Sequence, residues 1–204
     1  MGRRSLAKER TSQILHAYAV CIGRFGLEGA TLERVSDESG LSRGHIRHYV
    51  GNRADMRRKL VQWVVDGVQE AAAETCADVP VGERARARMR HMLESGLGPA
   101  PDNAAIDVLL GATTYDAELR AMMREIYVDL ERSIAGFLRD DFPGAAARVY
   151  REGAYQLLAV AFGNWSLSEL EFPASRQRSA VAIGEVVIDR VREAAEKSRA
   201  ERSA

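Results

Sequence analysis

Apolar residues recur at every third or fourth position along almost the whole chain, the period of helices that bury one face. Ile14, Leu15, Tyr18, Cys21, Ile22 and Phe25 carry that period through a first helix from Glu9 or Thr11 to Phe25, which Gly26 is expected to stop. Ahead of it, Met1 to Lys8 reads as a basic arm containing Arg3, Arg4 and Lys8. Two short amphipathic patterns follow, Leu32 with Val35 and Ile46 with Val50, each opened by a hydroxyl that can cap a helix, Thr31 and Ser42. A long pattern restarts at Asn52, with Asp55 near the positive helix end, and carries Met56, Leu60, Trp63, Val64 and Ala71 to about residue 77. Breaks at Val79-Pro80, Gly96 to Pro101, Phe142-Pro143-Gly144 and Phe172-Pro173 then separate helices expected at about 81–95, 102–114, 116–140, 144–170 and 175–198. No strand alternation competes, so the predicted fold class is all-α.

Residues 31–53 are the most informative stretch. Ser36 is small where two helices must approach closely, and Gly40 has the backbone freedom that a tight helix-to-helix turn requires. With Ile46 and Val50 turned inward, the other face of the second helix holds Arg43, His45, Arg47, His48 and Tyr49. These side chains suit phosphate oxygens and the acceptor edges of bases in a major groove. The pattern is a helix-turn-helix that offers residues 43–49 to DNA. Any charged helical pair can have a small residue and a glycine in its turn. The two caps, the aromatic Tyr49 and the basic Arg53 opening the next helix favour the DNA reading.

Formal net charge is zero, which taken alone argues against a nucleic-acid partner. Its distribution argues the other way. Residues 1–60 hold 12 Lys and Arg against 6 Asp and Glu, whereas residues 61–204 hold 17 against 23. A basic end on an acidic body focuses phosphate attraction at one place. The two cysteines, Cys21 and Cys76, form no Cys-x-x-Cys or Cys/His cluster and read as buried thiols, so no metal site is expected. The apolar run from Ala154 to Trp165 is interrupted by Gln156, Gly163 and Asn164 and falls short of the ~20 residues of a membrane span. No signal-type segment follows the N-terminus, so a cytoplasmic location is expected.

Residues 9–60 resemble the N-terminal domain of TetR-family transcriptional regulators. The residues that carry the likeness are Thr31, Val35, Gly40, Leu41, Ser42, Gly44, Ile46, Tyr49 and Val50. Ser36 stands where the family usually has Ala, Arg53 where Lys is usual, and Arg47 where an aromatic is common. The last departure changes either a phosphate contact or the base being read. Leu157 to Trp165 also resembles the apolar-Gly-x-Trp segment of the BetI-like branch. The resemblance implies a helix-turn-helix domain over residues 1–54 and an all-helical ligand-binding and dimerisation domain over 55–204. It further implies a homodimeric repressor released from a palindromic operator in double-stranded DNA by a small-molecule effector.

By position on the matched motif, Arg43, His45 and Arg47 approach bases, with Arg43 or Arg47 the one to grip guanine. Thr31, Tyr49 and Arg53 hold phosphates, and Ser42, Gly44 and His48 complete the DNA-binding set. In the family a ligand cavity lies among the helices between about residues 53 and 140. Trp63, Met89, Met92 and Leu93 are its expected lining, with Leu110, Tyr115, Ile126 and Tyr127, and core packing is the competing reading for each. The expected ligand is small and mostly apolar, a cation being one option given the aromatic content and acidic body. For the two-fold interface, Leu158, Ala161 and Trp165 are the expected contacts in one late helix, and Ala180, Gly184, Val187 and Val191 in the next. Burial inside the monomer is the alternative.

The competing class is a helical small-molecule-binding protein or enzyme with no DNA role. No Gly-x-Ser-x-Gly elbow, phosphate-binding glycine loop or His-Glu-x-x-His occurs. His16 and His91 read as helix-face residues, and Asp140-Asp141 as a turn-forming acidic pair before Pro143. No catalytic residue, cofactor or metal is expected.

Overall fold

In the computed structural model, residues 3–95, 100–168, 170 and 173–203 are described, and every regular element among them is helical. The helices are α1 (Arg3–Gly29), α2 (Leu32–Ser39), α3 (Arg43–Val50), α4 (Arg53–Thr75), α5 (Arg84–Ser95), α6 (Ala100–Ala112), α7 (Ala117–Asp141), α8 (Ala147–Ser168) and α9 (Ala174–Ser203). The all-α reading holds. One boundary differs: the basic arm is already helical at Arg3. At Gly26, where the sequence pattern stops the first helix, the backbone does leave the helical conformation (φ 70°, ψ 172°), so α1 is two helical segments joined at a kink, and Ala30 N–H closes the second onto Gly26 O at 3.0 Å. The expected breaks at Gly96 and at Phe172 fall on residues 96–99 and 171–172, outside the described residues.

The chain divides into two compact units, and the divisions fall within α4, between residues 97 and 98, and within α7. One comprises Met1–Gly67 with Gly98–Ile126, the other Val68–Leu97 with Tyr127–Ala204. In the first unit α1 packs against α2, α3 and α6. Its core is built from fully buried Ile14, Leu15, Tyr18 and Ile22 of α1, Ile46 of α3, Met56 and Leu60 of α4, and Ile106 and Leu109 of α6. Each such side chain is worth about 1.5–3 kcal/mol of burial, so the short helices α2 and α3 owe their stability to this packing and not to propensity.

In the second unit α5 packs against both α8 and α9, which also pack on each other. Asp141, the last residue of α7, is buried and accepts from Gly82 N–H at 3.0 Å and Ala85 N–H at 2.6 Å, so it satisfies the orphan amides at the start of α5. Polar links support the apolar contacts. Arg86 and Arg90 of α5 reach Glu185 of α9 at 2.8 and 2.6 Å, and Trp165 Nε1 of α8 donates to Met92 O at 3.0 Å.

Candidate nucleic-acid interface

Both caps expected from the sequence are formed. Thr31 Oγ1 accepts from Arg34 N–H and Ser42 Oγ from His45 N–H, each at 3.3 Å, so each short helix begins with one orphan donor satisfied. Gly40 closes α2 in the left-handed conformation at φ 68°, ψ 13°. Ser36 does more than keep the helices close: its hydroxyl donates to Leu41 O at 2.7 Å across the turn. Gln13 Nε2 of α1 donates to Ser39 O at 2.8 Å and pins the turn from behind. Val35, Ile46 and Val50 are completely buried, which fixes the rotation of α3 and turns its other face out.

That outer face exposes Arg43, Gly44, His45, Arg47 and His48, while Tyr49 is half-buried with its ring edge-on to His48 at 5.0 Å. Arg43, His45 and Arg47 make no side-chain hydrogen bond or ion pair with the described residues, so their donors are unspent. Two guanidiniums and an imidazole held out by a rigid helix can contact phosphate and base edges without breaking an internal bond. Lys59 of α4 donates to Tyr49 O at 3.0 Å, tying the C-terminal end of α3 to the next helix. At the start of α4, Asn52 and Asp55 cap each other reciprocally, Asn52 N–H to Asp55 Oδ2 and Asp55 N–H to Asn52 Oδ1, both at 3.0 Å.

Arg53 is placed differently from its expected neighbours. Its Nη1 pairs with Glu28 Oε2 at 3.0 Å and its Nη2 donates to Leu27 O at 2.6 Å, so both arms of the fork are held by the end of α1. Arg57, one turn on, donates to Asp116 Oδ2 at 3.0 Å and lies 3.6 Å from Glu28 Oε1. Beneath them the Tyr18 phenol is buried with no hydrogen bond, although Arg57 and Arg53 lie near it. Burial pushes its pKa up, and the two guanidiniums partly offset that. Asp116 is held below the usual carboxylate range by the Leu119 amide first and by Arg57 as well. The sequence reading missed Glu28, Arg57 and Asp116. Partners 25 to 59 positions apart leave no local signal.

Among the residues expected to line a ligand cavity, Trp63 and Ile126 belong to the first unit and Met89, Met92, Leu93 and Tyr127 to the second. Leu110 and Tyr115 depart from that role. Leu110 is exposed, and Tyr115 is 92% exposed because α6 ends at Ala112 and places it in the turn before α7. The residues expected at the two-fold interface lie inside the fold. Leu158, Ala161, Trp165, Ala180, Gly184, Val187 and Val191 are all buried by the chain itself. A Cβ at Gly184 would lie 2.5 Å from Met89 Sδ, so that glycine admits α5, not a second copy. The helices α8 and α9 have two apolar faces. The richer one turns inward, leaving Tyr155, Ile183 and Val186 exposed at 63%, 51% and 58%. No helix among the described residues is long and apolar enough to cross a membrane.

Comparison with known proteins agrees with this architecture. No family model matches the chain. It is similar to the HTH-type transcriptional regulator BetI of Stenotrophomonas maltophilia (strain R551-3), at 24% identity over 185 residues covering 87% of this chain and 92% of the relative. A TetR-family transcriptional regulator from Rhodococcus sp. superposes with TM-score 0.76 at 17% identity, over 89% of this chain and 99% of that one. A regulator from Saccharomonospora viridis, solved in complex with choline, gives TM-score 0.64 at 16% identity over 89% and 96% of the two chains. The relative and both solved structures are named as transcriptional regulators, none as an enzyme.

Proposed function

We propose that this chain belongs to the TetR family and represses transcription as a cytoplasmic homodimer that grips operator DNA through α3 and lets go when a small molecule binds, a reading supported by its likeness to such regulators. The observation that carries the reading is the outer face of α3, where Arg43, His45 and Arg47 have no partner among the described residues and stand above the buried Ile46 and Val50. Residues 1–54 read DNA, with Arg43 and Arg47 on bases and Thr31, Tyr49 and Arg53 on phosphates. Residues 55–204 hold the effector and the second copy. Two readers related by a two-fold need half-sites about one helical turn, ~34–36 Å, apart, so a palindromic operator follows from the dimer.

The face left for the second copy is that of Tyr155, Ile183 and Val186, since the inward faces of α8 and α9 are already spent. A charge at Ile183 or Val186 is expected to split the dimer in sedimentation. The choline held by the Saccharomonospora viridis relative makes a quaternary ammonium the first effector class to test here. Sequence selection on random DNA with the purified chain tests the central reading. Arg43→Ala and Arg47→Ala should each cost roughly 1–3 kcal/mol and relax the preferred sequence, whereas Tyr49→Phe should weaken all sequences alike. If both arginine variants keep the full sequence preference, α3 is not the reader.

A further inference from the structure

The grip of α1 on Arg53 has a consequence for DNA binding. A phosphate is best held by two parallel N–H donors of a guanidinium, and in the free protein Glu28 and Leu27 O occupy one nitrogen of the fork each. We infer that Glu28 competes with DNA phosphate for Arg53, lowering operator affinity in the free chain, and that Arg57 takes Glu28 over when Arg53 leaves for the DNA. The inference rests on the DNA-binding reading above.

Three features support an exchange over a fixed structural pair. The Glu28 side chain is 81% exposed and Arg53 43%, so their pairing is weakly held and accessible to a phosphate. Arg57 stands 3.6 Å from Glu28, inside ion-pair range but beyond a hydrogen bond, and its Nε is buried without a partner. A buried unpaired donor marks a group that is not at its best arrangement, and a carboxylate freed from Arg53 offers Arg57 a better one. Arg57 is also bonded to Asp116 in the turn before α7. The chain Arg53, Glu28, Arg57, Asp116 therefore runs from the start of α4 to that turn through side chains alone, and a shift of the turn alters how firmly Glu28 holds Arg53.

The test is an anisotropy titration of the full chain on its selected DNA sequence, with Glu28→Gln, Arg53→Met and the double variant, repeated across salt concentrations. Glu28→Gln keeps size and exposure, so the folded state is preserved, and circular dichroism checks it. Affinity should rise about three- to fivefold for Glu28→Gln, and the slope of log K against log salt should steepen by about one. In the Arg53→Met background the same change should alter affinity less than twofold. An unchanged or weakened affinity for Glu28→Gln overturns the inference, since Glu28 would then be inert or would position Arg53 productively. An equal rise in both backgrounds also overturns it, as that is the general effect of removing a negative charge. Failure of the unmodified chain to bind any DNA at low salt refutes the DNA reading itself and takes this inference with it.

Discussion

Two glycines of the helix-turn-helix do different physical work, and alanine at each separates the two effects. Gly40 has φ 68°, ψ 13° with no heavy atom within 4 Å of a built Cβ, so Gly40→Ala meets only the left-handed penalty of about 1–2 kcal/mol. Gly51 has φ 84°, ψ −149°, close to a region open essentially to glycine alone, which costs about 1–3 kcal/mol for another residue. Its Cβ would also stand 2.5 Å from Asp55 Oδ2, the atom that caps Asn52 N–H. Moving Asp55 forfeits a cap worth about 1 kcal/mol, so Gly51→Ala should cost about 2–4 kcal/mol in total. Urea unfolding of the full chain, followed by circular dichroism, measures both variants. Because the displaced cap sets how α4 leaves α3, Gly51→Ala should also weaken DNA binding under conditions where the variant is still folded. Asp55→Ala should cost about 1 kcal/mol alone and almost nothing more when added to Gly51→Ala, since the cap is already lost. The reasoning fails if Gly51→Ala is no worse than Gly40→Ala, or if the Gly51 and Asp55 effects simply add.

Other outcomes follow from single buried groups. Asp141→Ala leaves the amides of Gly82 and Ala85 without an acceptor at the head of α5 and should cost about 2–4 kcal/mol, with Asp141→Asn intermediate; equal stability of all three in urea would show the cap to be idle. Tyr18→Phe removes a buried hydroxyl that has no hydrogen bond, so stability at pH 7 should not fall; a loss above about 1 kcal/mol would mean that the phenol does pair with Arg57 or Arg53. The same residue sets a pH response. Burial raises the pKa of Tyr18 in the fold, so its contribution is complete below the ordinary tyrosine value of about 10 and is lost as pH climbs through the folded value. Tyr18→Phe should therefore soften the alkaline decline in stability, and an unchanged decline would place its origin elsewhere.

The sequence by itself determined the elements and the outward face of α3. Helical period, the caps at Thr31 and Ser42 and the Gly40 turn are local features, each written within a few residues and each formed as expected. Burial of Ile46 and Val50 then leaves one outer face for α3, so Arg43, His45 and Arg47 had to point out. What the tertiary structure alone decided was the use of faces with more than one option. The helices α8 and α9 offer apolar residues on two sides, and only packing against α5 shows that Gly184 and Trp165 are spent inside while Ile183 and Val186 are left out. Tyr115 already fell between two expected helices, and the sequence does not say which way a side chain in such a turn faces; in the fold it points to solvent. The pairing of Arg53 with Glu28, and of Arg57 with Asp116, was likewise beyond local reading. A charged side chain takes whichever opposite charge the fold carries to it, and these partners come from segments far apart in the chain.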